Sequence, residues 1–144
     1  MRPLVSEGLV LDSYALIAHL MGQPPGAAVR DFLHRGASGE ISLFMSVINL
    51  GEVVYTVEKR KGLAAAQDAL SAIEELPIIL EEATKAQALW AARFKAQFPI
   101  AYADCFALAL AQSKGLPVLT GDREFARAEA LVPIRWLNAE GTGG

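Results

Sequence analysis

Short apolar runs alternate with helical patterns along the whole chain, and this alternation restricts the fold more than any other feature. The first run, Leu9 to Leu11, consists of consecutive apolar residues, as in strands that are buried on both faces. Further strands are predicted at residues 41–45, 77–80, 116–120 and 133–137. Because parallel strands need crossover helices between them, this order predicts an α/β/α domain with a central, mainly parallel sheet of four to five strands.

Helical periodicity and capping residues fill the segments between these runs. Helices are predicted at residues 13–21, 27–35, 47–61, 64–75, 81–97 and 102–114, followed by a short helix that ends near residue 128. The helix from Tyr102 to Lys114 carries no charge between Asp104 and Lys114, which indicates a central and largely buried helix. We predict one domain over residues 1–137 and a flexible tail over residues 138–144.

Charge and composition narrow the class of protein. The 144 residues carry a net charge of −3, which argues against a basic nucleic-acid-binding module. It does not argue against a nuclease, because divalent metal offsets the charge of clustered carboxylates. No apolar run approaches the roughly 18 residues of a membrane span, and no signal-peptide core is apparent, so a cytoplasmic location is expected. Cys105 is the only cysteine and is expected in the core.

Four carboxylates occur where the local pattern does not require a solvated charge. Asp12 ends the first strand, Glu52 lies on the helix after the second, Asp104 opens the buried helix, and Asp122 follows the fourth strand. Taken singly, the aspartates are best explained as helix N-caps and Glu52 as a solvated residue. In a parallel sheet, however, strand ends and helix starts lie along one edge, where four acids would repel each other. An all-oxygen set of this kind suits Mg²⁺ or Mn²⁺ and not zinc.

Four motifs occur in order along the chain: VLDSYAL at 10–16, SVINLGEV at 46–53, ADCFALA at 103–109 and LTGD at 119–122. Together they resemble the PIN-domain ribonucleases, and in particular the VapC-type toxins of bacterial and archaeal toxin–antitoxin pairs. The resemblance extends over about residues 9–137. Any one of the motifs would be weak evidence, but the four agree in order and spacing.

The resemblance implies a Mg²⁺- or Mn²⁺-dependent endoribonuclease, the toxin of a VapBC-type pair, that hydrolyses RNA phosphodiesters with a metal-activated water. It implies an acidic quartet of Asp12, Glu52, Asp104 and Asp122, supported by the hydroxyls of Ser13, Ser46 and Thr120. Asp12 and Asp104 are expected to bind metal directly, Asp122 directly or through water, and Glu52 through water. An RNA substrate and a cognate antitoxin are also implied. Apolar faces on the predicted helices at residues 27–35 and 64–75 exceed what one core needs and indicate a homodimer or antitoxin interface.

Two basic residues are candidate contacts to the RNA backbone. Lys59 lies about two helical turns beyond Glu52, nearly in line with it. Arg123 directly follows Asp122. The alternative explanations are a solvated helix end for Lys59 and a surface salt bridge for Arg123.

Two other functions are weighed against the nuclease. The first is a catalytically weak PIN module that mainly binds RNA or a partner protein, and such a binder has no need for four crowded acids. The second is a phosphatase resembling the haloacid dehalogenases. It needs a second acid two residues after Asp12, where this chain has Tyr14.

Overall fold

A five-stranded, all-parallel sheet forms the centre of the fold in a computed structural model that describes residues 7–138. Its strands are β1 (Gly8–Leu11), β2 (Ser42–Ser46), β3 (Ile79–Glu81), β4 (Val118–Thr120) and β5 (Ile134–Trp136). They lie in the order β3-β2-β1-β4-β5, and each neighbouring pair is parallel. The chain therefore builds outward from β1 on one side and then crosses to the other, so the topological switch point lies between β1 and β4.

Helices cover both faces of this sheet. They are α1 (Ser13–Leu20), α2 (Gly26–Ala37), α3 (Val47–Lys61), α4 (Leu63–Glu74), α5 (Lys85–Gln97) and α6 (Tyr102–Lys114), with a 3-10 helix at Arg123–Ala128. Successive residues of β1 enter different cores: Leu9 and Leu11 pack with α1 to α4, whereas Val10 packs with α5 and α6. A strand with both faces buried needs apolar residues throughout, which is why β1 shows no polar alternation.

Helix α6 is the most deeply buried helix. Every residue from Asp104 to Ala111 is buried, and the helix contacts α3, α5 and the strands β1, β2 and β4. Its buried Cys105 is a free thiol, and burial raises the pKa of that thiol to about 11. The predicted core position of Cys105 is therefore confirmed. Over residues 7–138, the helices are too short or too polar to cross a membrane.

The predicted fold class is confirmed, and α3 and α6 have the predicted bounds. The largest differences lie around β3. The prediction that Pro77 begins this strand is wrong, because pairing with β2 starts at Ile79 and extends to Glu81. Helix α5 then begins at Lys85 instead of residue 81, since the Thr84 hydroxyl caps it by accepting from the Gln87 N–H at 3.1 Å. Most of the predicted tail, residues 139–144, lies outside the described residues.

Strands β1 and β2 approach each other closely at Gly8. A Cβ added to Gly8 would lie 2.7 Å from the carbonyl oxygen of Ser42, its partner in β2. Because that oxygen belongs to the sheet backbone, we expect Gly8→Ala to lower the free energy of unfolding by about 1–3 kcal/mol.

Urea denaturation measures this change, with Gly51→Ala as the control. Gly51 lies on α3 with open space around it, so that change should stabilise by about 0.5–1 kcal/mol. Equal effects would contradict the proposed close approach.

Candidate active site

Asp12 lies at the switch point, where β1 and β4 end side by side. Leu11 pairs with Leu119, so the next residues, Asp12 and Thr120, stand beside each other. The Thr120 hydroxyl donates to Asp12 Oδ2 at 2.5 Å, and the Ala15 N–H donates to Asp12 Oδ1 at 3.0 Å. Asp12 is thus the N-cap of α1, as the simpler explanation held, and its 1 % exposed carboxylate is also fixed to β4.

The loop after β4 carries Asp122 and is tied to the same hydroxyl. The Asp122 N–H donates to Thr120 Oγ1 at 3.0 Å, and Asp122 Oδ1 caps the 3-10 helix by accepting from the Glu124 N–H at 3.0 Å. A Cβ on the intervening Gly121 would lie 2.4 Å from the ring of Tyr14. The glycine therefore lets Tyr14 pack directly on this loop, which holds the Asp122 backbone close to Asp12.

Asp104 enters the site from the first turn of α6. It is 7 % exposed, but it is not the helix cap that its position suggested, because Ala101 is the N-cap residue. Among residues 7–138, none donates a hydrogen bond to its carboxylate. Capping therefore does not account for a buried acid at this position.

Helix α3 brings Glu52 to the same edge of the sheet. The Ser46 hydroxyl caps this helix by accepting from the Ile48 N–H at 3.1 Å. Glu52 is half-buried, and its Oε1 accepts from Asn49 Nδ2 at 3.1 Å, so the alternative explanation of a simply solvated side chain does not hold. Ser13 is the first residue of α1, beside Asp12.

The four predicted acids lie close enough together for their charges to affect one another's pKa values. Burial raises the pKa of Asp12 to about 8, and the charges of Asp104 and Asp122 add to the shift, against the hydrogen bonds from Thr120 and Ala15. Burial likewise raises the pKa of Asp104 to about 7, and the charges of Glu52, Asp122 and Glu124 raise it further. The structure therefore brings together four acids from distant parts of the chain.

Two residues near these acids were missed by sequence reasoning. Glu124 is a fifth acid that acts on Asp104, and its place two residues after Asp122 in the same turn was the available signal. Asn49 is a buried amide one turn before Glu52, and the other buried residues of α3, Val53 and Val57, are apolar. An uncharged polar residue in an apolar stripe is the signal that could have found it.

The two basic candidates for RNA contacts have different surroundings. Lys59 is exposed in the last turn of α3. The Arg123 guanidinium lies 4.6 Å from the centroid of the Trp136 ring, and within residues 7–138 it forms no salt bridge. The alternative explanation of Arg123 as a surface ion pair is therefore wrong, and its role toward RNA stays a prediction.

A family model described as the PIN domain matches residues 9–131. The chain belongs to the PIN domain family. A search of curated proteins found no match.

Solved structures of toxin–antitoxin proteins share this PIN fold. VapBC2 from Rickettsia felis, bound to a promoter DNA fragment, has a TM-score of 0.73 at 15 % identity, over 91 % of this chain and 99 % of that one. VapC20 of Mycobacterium tuberculosis, a toxin described as cleaving the sarcin-ricin loop, has a TM-score of 0.70 at 19 % identity, with coverages of 88 % and 98 %. DNA-bound VapBC from Salmonella typhimurium has a TM-score of 0.70 at 19 % identity, over 89 % of this chain and 96 % of that one. At these identities the likeness shows the fold alone.

PIN domain nucleases generally use divalent metal ions, and the donor chemistry here fits one. The four grouped side chains are carboxylates, the oxygen donors that Mg²⁺ and Mn²⁺ prefer, and a cation would stabilise the ionised forms of Asp12 and Asp104 that burial and the neighbouring acids disfavour. Within the described part of the chain, no three Asp, Glu, His or Cys side chains converge closely enough to hold an ion.

The raised pKa values predict a pH dependence of the metal-free protein. Asp12 and Asp104 stay protonated in the folded state at pH values where the unfolded chain, with a pKa of 3.8, has lost those protons. Because the folded state binds more protons, its stability should fall as the pH rises from about 4 to about 8. Thermal melts in EDTA across this range should show the loss, and a smaller loss for Asp104→Asn. An identical pH dependence in that variant would contradict the raised pKa of Asp104.

Proposed function

We propose that this PIN domain is an endoribonuclease that depends on Mg²⁺ or Mn²⁺. The observation that carries the proposal is the group of acids at the switch point, in which the buried Asp12 and Asp104 have raised pKa values because of burial and of neighbouring acids. Burial of ionised carboxylates beside other acids lowers stability unless a cation offsets their charge, so a structural role does not explain the group. Carboxylate sites for Mg²⁺ serve mostly phosphate chemistry.

The family resemblance gives each acid a role in this proposal. Asp12 and Asp104 would hold the metal directly, Asp122 directly or through water, and Glu52 through water. When bound, the metal lowers the pKa of a water and stabilises charge on the phosphate. Thr120 orients Asp12 through its hydroxyl and holds the Asp122 backbone at the same time.

The remaining predicted residues support the site or contact the substrate. Ser46 fixes the start of α3, the helix that carries Glu52, while Ser13 begins α1 behind Asp12. Lys59 and Arg123 contact RNA phosphates outside the acidic centre. Arg123 is suited to this because its guanidinium rests on Trp136 and makes no ion pair with an acid of residues 7–138.

Removal of single acids tests the catalytic proposal. Asp12→Asn and Asp104→Asn should each lower Mg²⁺- or Mn²⁺-dependent cleavage of RNA by roughly 100-fold or more, because each removes a direct metal ligand. Gel assays of labelled RNA measure this, with circular dichroism to confirm folding. Asp68→Asn is the matched control, since Asp68 is exposed on α4, away from the acids, and should leave the rate unchanged. Full activity in EDTA, or RNA binding without cleavage, would overturn the proposal.

We also propose that the chain is the toxin of a VapBC-type pair, with a cognate antitoxin and a homodimeric state. The support is the shared fold with VapC toxins together with the group of acids at the switch point.

Expression of the chain in bacteria should arrest growth, and expression of the Asp104→Asn variant should not. Co-expression of the product of the neighbouring reading frame should restore growth, and light scattering should give twice the chain mass. Unimpaired growth with active nuclease in the cells would contradict the toxin role.

A further inference from the structure

Asn49 is a fully buried amide in α3 that contacts two functional elements at once. Its Nδ2 donates to Glu52 Oε1 at 3.1 Å and to the Ala103 carbonyl oxygen at 3.1 Å. Carbonyl and carboxylate oxygens accept hydrogen bonds and cannot donate them, so the opposite orientation of the amide would place oxygen against oxygen. Both hydrogens of the Asn49 amide are therefore committed to these two partners.

These two bonds connect Glu52 to the turn that carries Asp104. Ala103 precedes Asp104 in the first turn of α6, and α3 packs against α6. Glu52 and Asp104 are close enough for the charge of Glu52 to act on Asp104. One side chain thus sets how the Glu52 carboxylate is held relative to Asp104. An apolar residue would fill a buried helix position with no need for partners, so packing alone does not explain an amide.

The remaining acceptor of Asn49 has no partner. Its Oδ1 is buried and accepts no hydrogen bond from residues 7–138. Buried carbonyl oxygens without a donor are uncommon in folded proteins. The Asn49 amide is therefore held in place by its two donated bonds alone.

We propose that Asn49 is a positioning residue of the acidic site: it orients the Glu52 carboxylate beside Asp104 and thereby sets the affinity of the site for a divalent cation. The inference rests on the metal-dependent function proposed above. It assigns Asn49 a role through Glu52 and makes no claim that Asn49 binds the metal itself.

Titration of the full chain with Mn²⁺ alone, followed by calorimetry, tests this role without RNA. Asn49→Leu, which fills similar space and donates no hydrogen bond, should weaken Mn²⁺ binding about tenfold. Asn49→Ser should cause a smaller loss, because one hydroxyl can satisfy only one of the two acceptors. If Asn49→Leu does not fold, Asn49→Ser carries the test.

A double-mutant cycle separates positioning from an independent effect. Glu52→Gln should weaken Mn²⁺ binding, and the double variant Asn49→Leu/Glu52→Gln should bind Mn²⁺ no more weakly than Glu52→Gln alone, because Asn49 acts through Glu52. Fully additive losses would overturn the inference. Val53→Ala is the control for a merely structural effect: Val53 is buried on the same helix, so the change should lower Tm and leave the Mn²⁺ affinity within about twofold.

The outcomes distinguish the two proposals. Wild-type affinity in folded Asn49→Leu and Asn49→Ser would overturn the positioning role and leave the metal site intact. No Mn²⁺ binding by the wild-type chain would overturn the metal-dependent function itself. A loss in Val53→Ala equal to that in Asn49→Leu would show that α3 stability alone sets the affinity, which also overturns the role of Asn49.

Discussion

The parallel pairing of β1 with β4 is the constraint on which the acidic site depends. The two strands are adjacent because the chain builds β2 and β3 on one side of β1 and then crosses over to the other. Their shared register brings Thr120 to Asp12, and the Thr120 hydroxyl then holds both the Asp12 carboxylate and the Asp122 backbone. Residues more than a hundred positions apart are in this way joined by a single side chain.

Collecting acids at this edge opposes folding, and the rest of the domain must offset that cost. Strand β1 contributes to two cores, with alternate residues packed into helices on either face. Helix α6 holds Asp104 at the end of a fully apolar segment, so the acid cannot move into solvent without disturbing a tightly packed helix. The apolar character of β1 and α6 and the presence of acids at their ends are therefore linked: rigid supports keep mutually repelling groups in place.

Much of this arrangement is predictable from local pattern, and the limits have physical causes. Helix α3 could be placed because the capping residue Ser46 marks its start and Gly62 marks its end, with an apolar stripe between them. Helix α6 could be placed from its long uncharged run. The grouping of the acids along one edge followed from parallel topology alone. Strand order was not predictable, because pairing between strands depends on contacts between distant residues. The predicted start of β3 was wrong for the same reason. Pairing with β2 determines that the strand runs from Ile79 to Glu81, and the local preference of Pro77 for a strand start does not.

Capping and metal binding are not competing explanations for Asp12. Its Oδ1 accepts one bond from Ala15 and its Oδ2 one from Thr120, yet each carboxylate oxygen has two lone pairs, so capacity for a cation remains. The cap fixes the carboxylate at the strand end, which is what a ligand of defined geometry requires. Asp104 shows the other case, because it is buried near the same acids with neither a capping role nor a donor among residues 7–138. Asp104 therefore gives the stronger support for the proposed cation, and Asp12 shows that a capping carboxylate can keep the capacity to bind one.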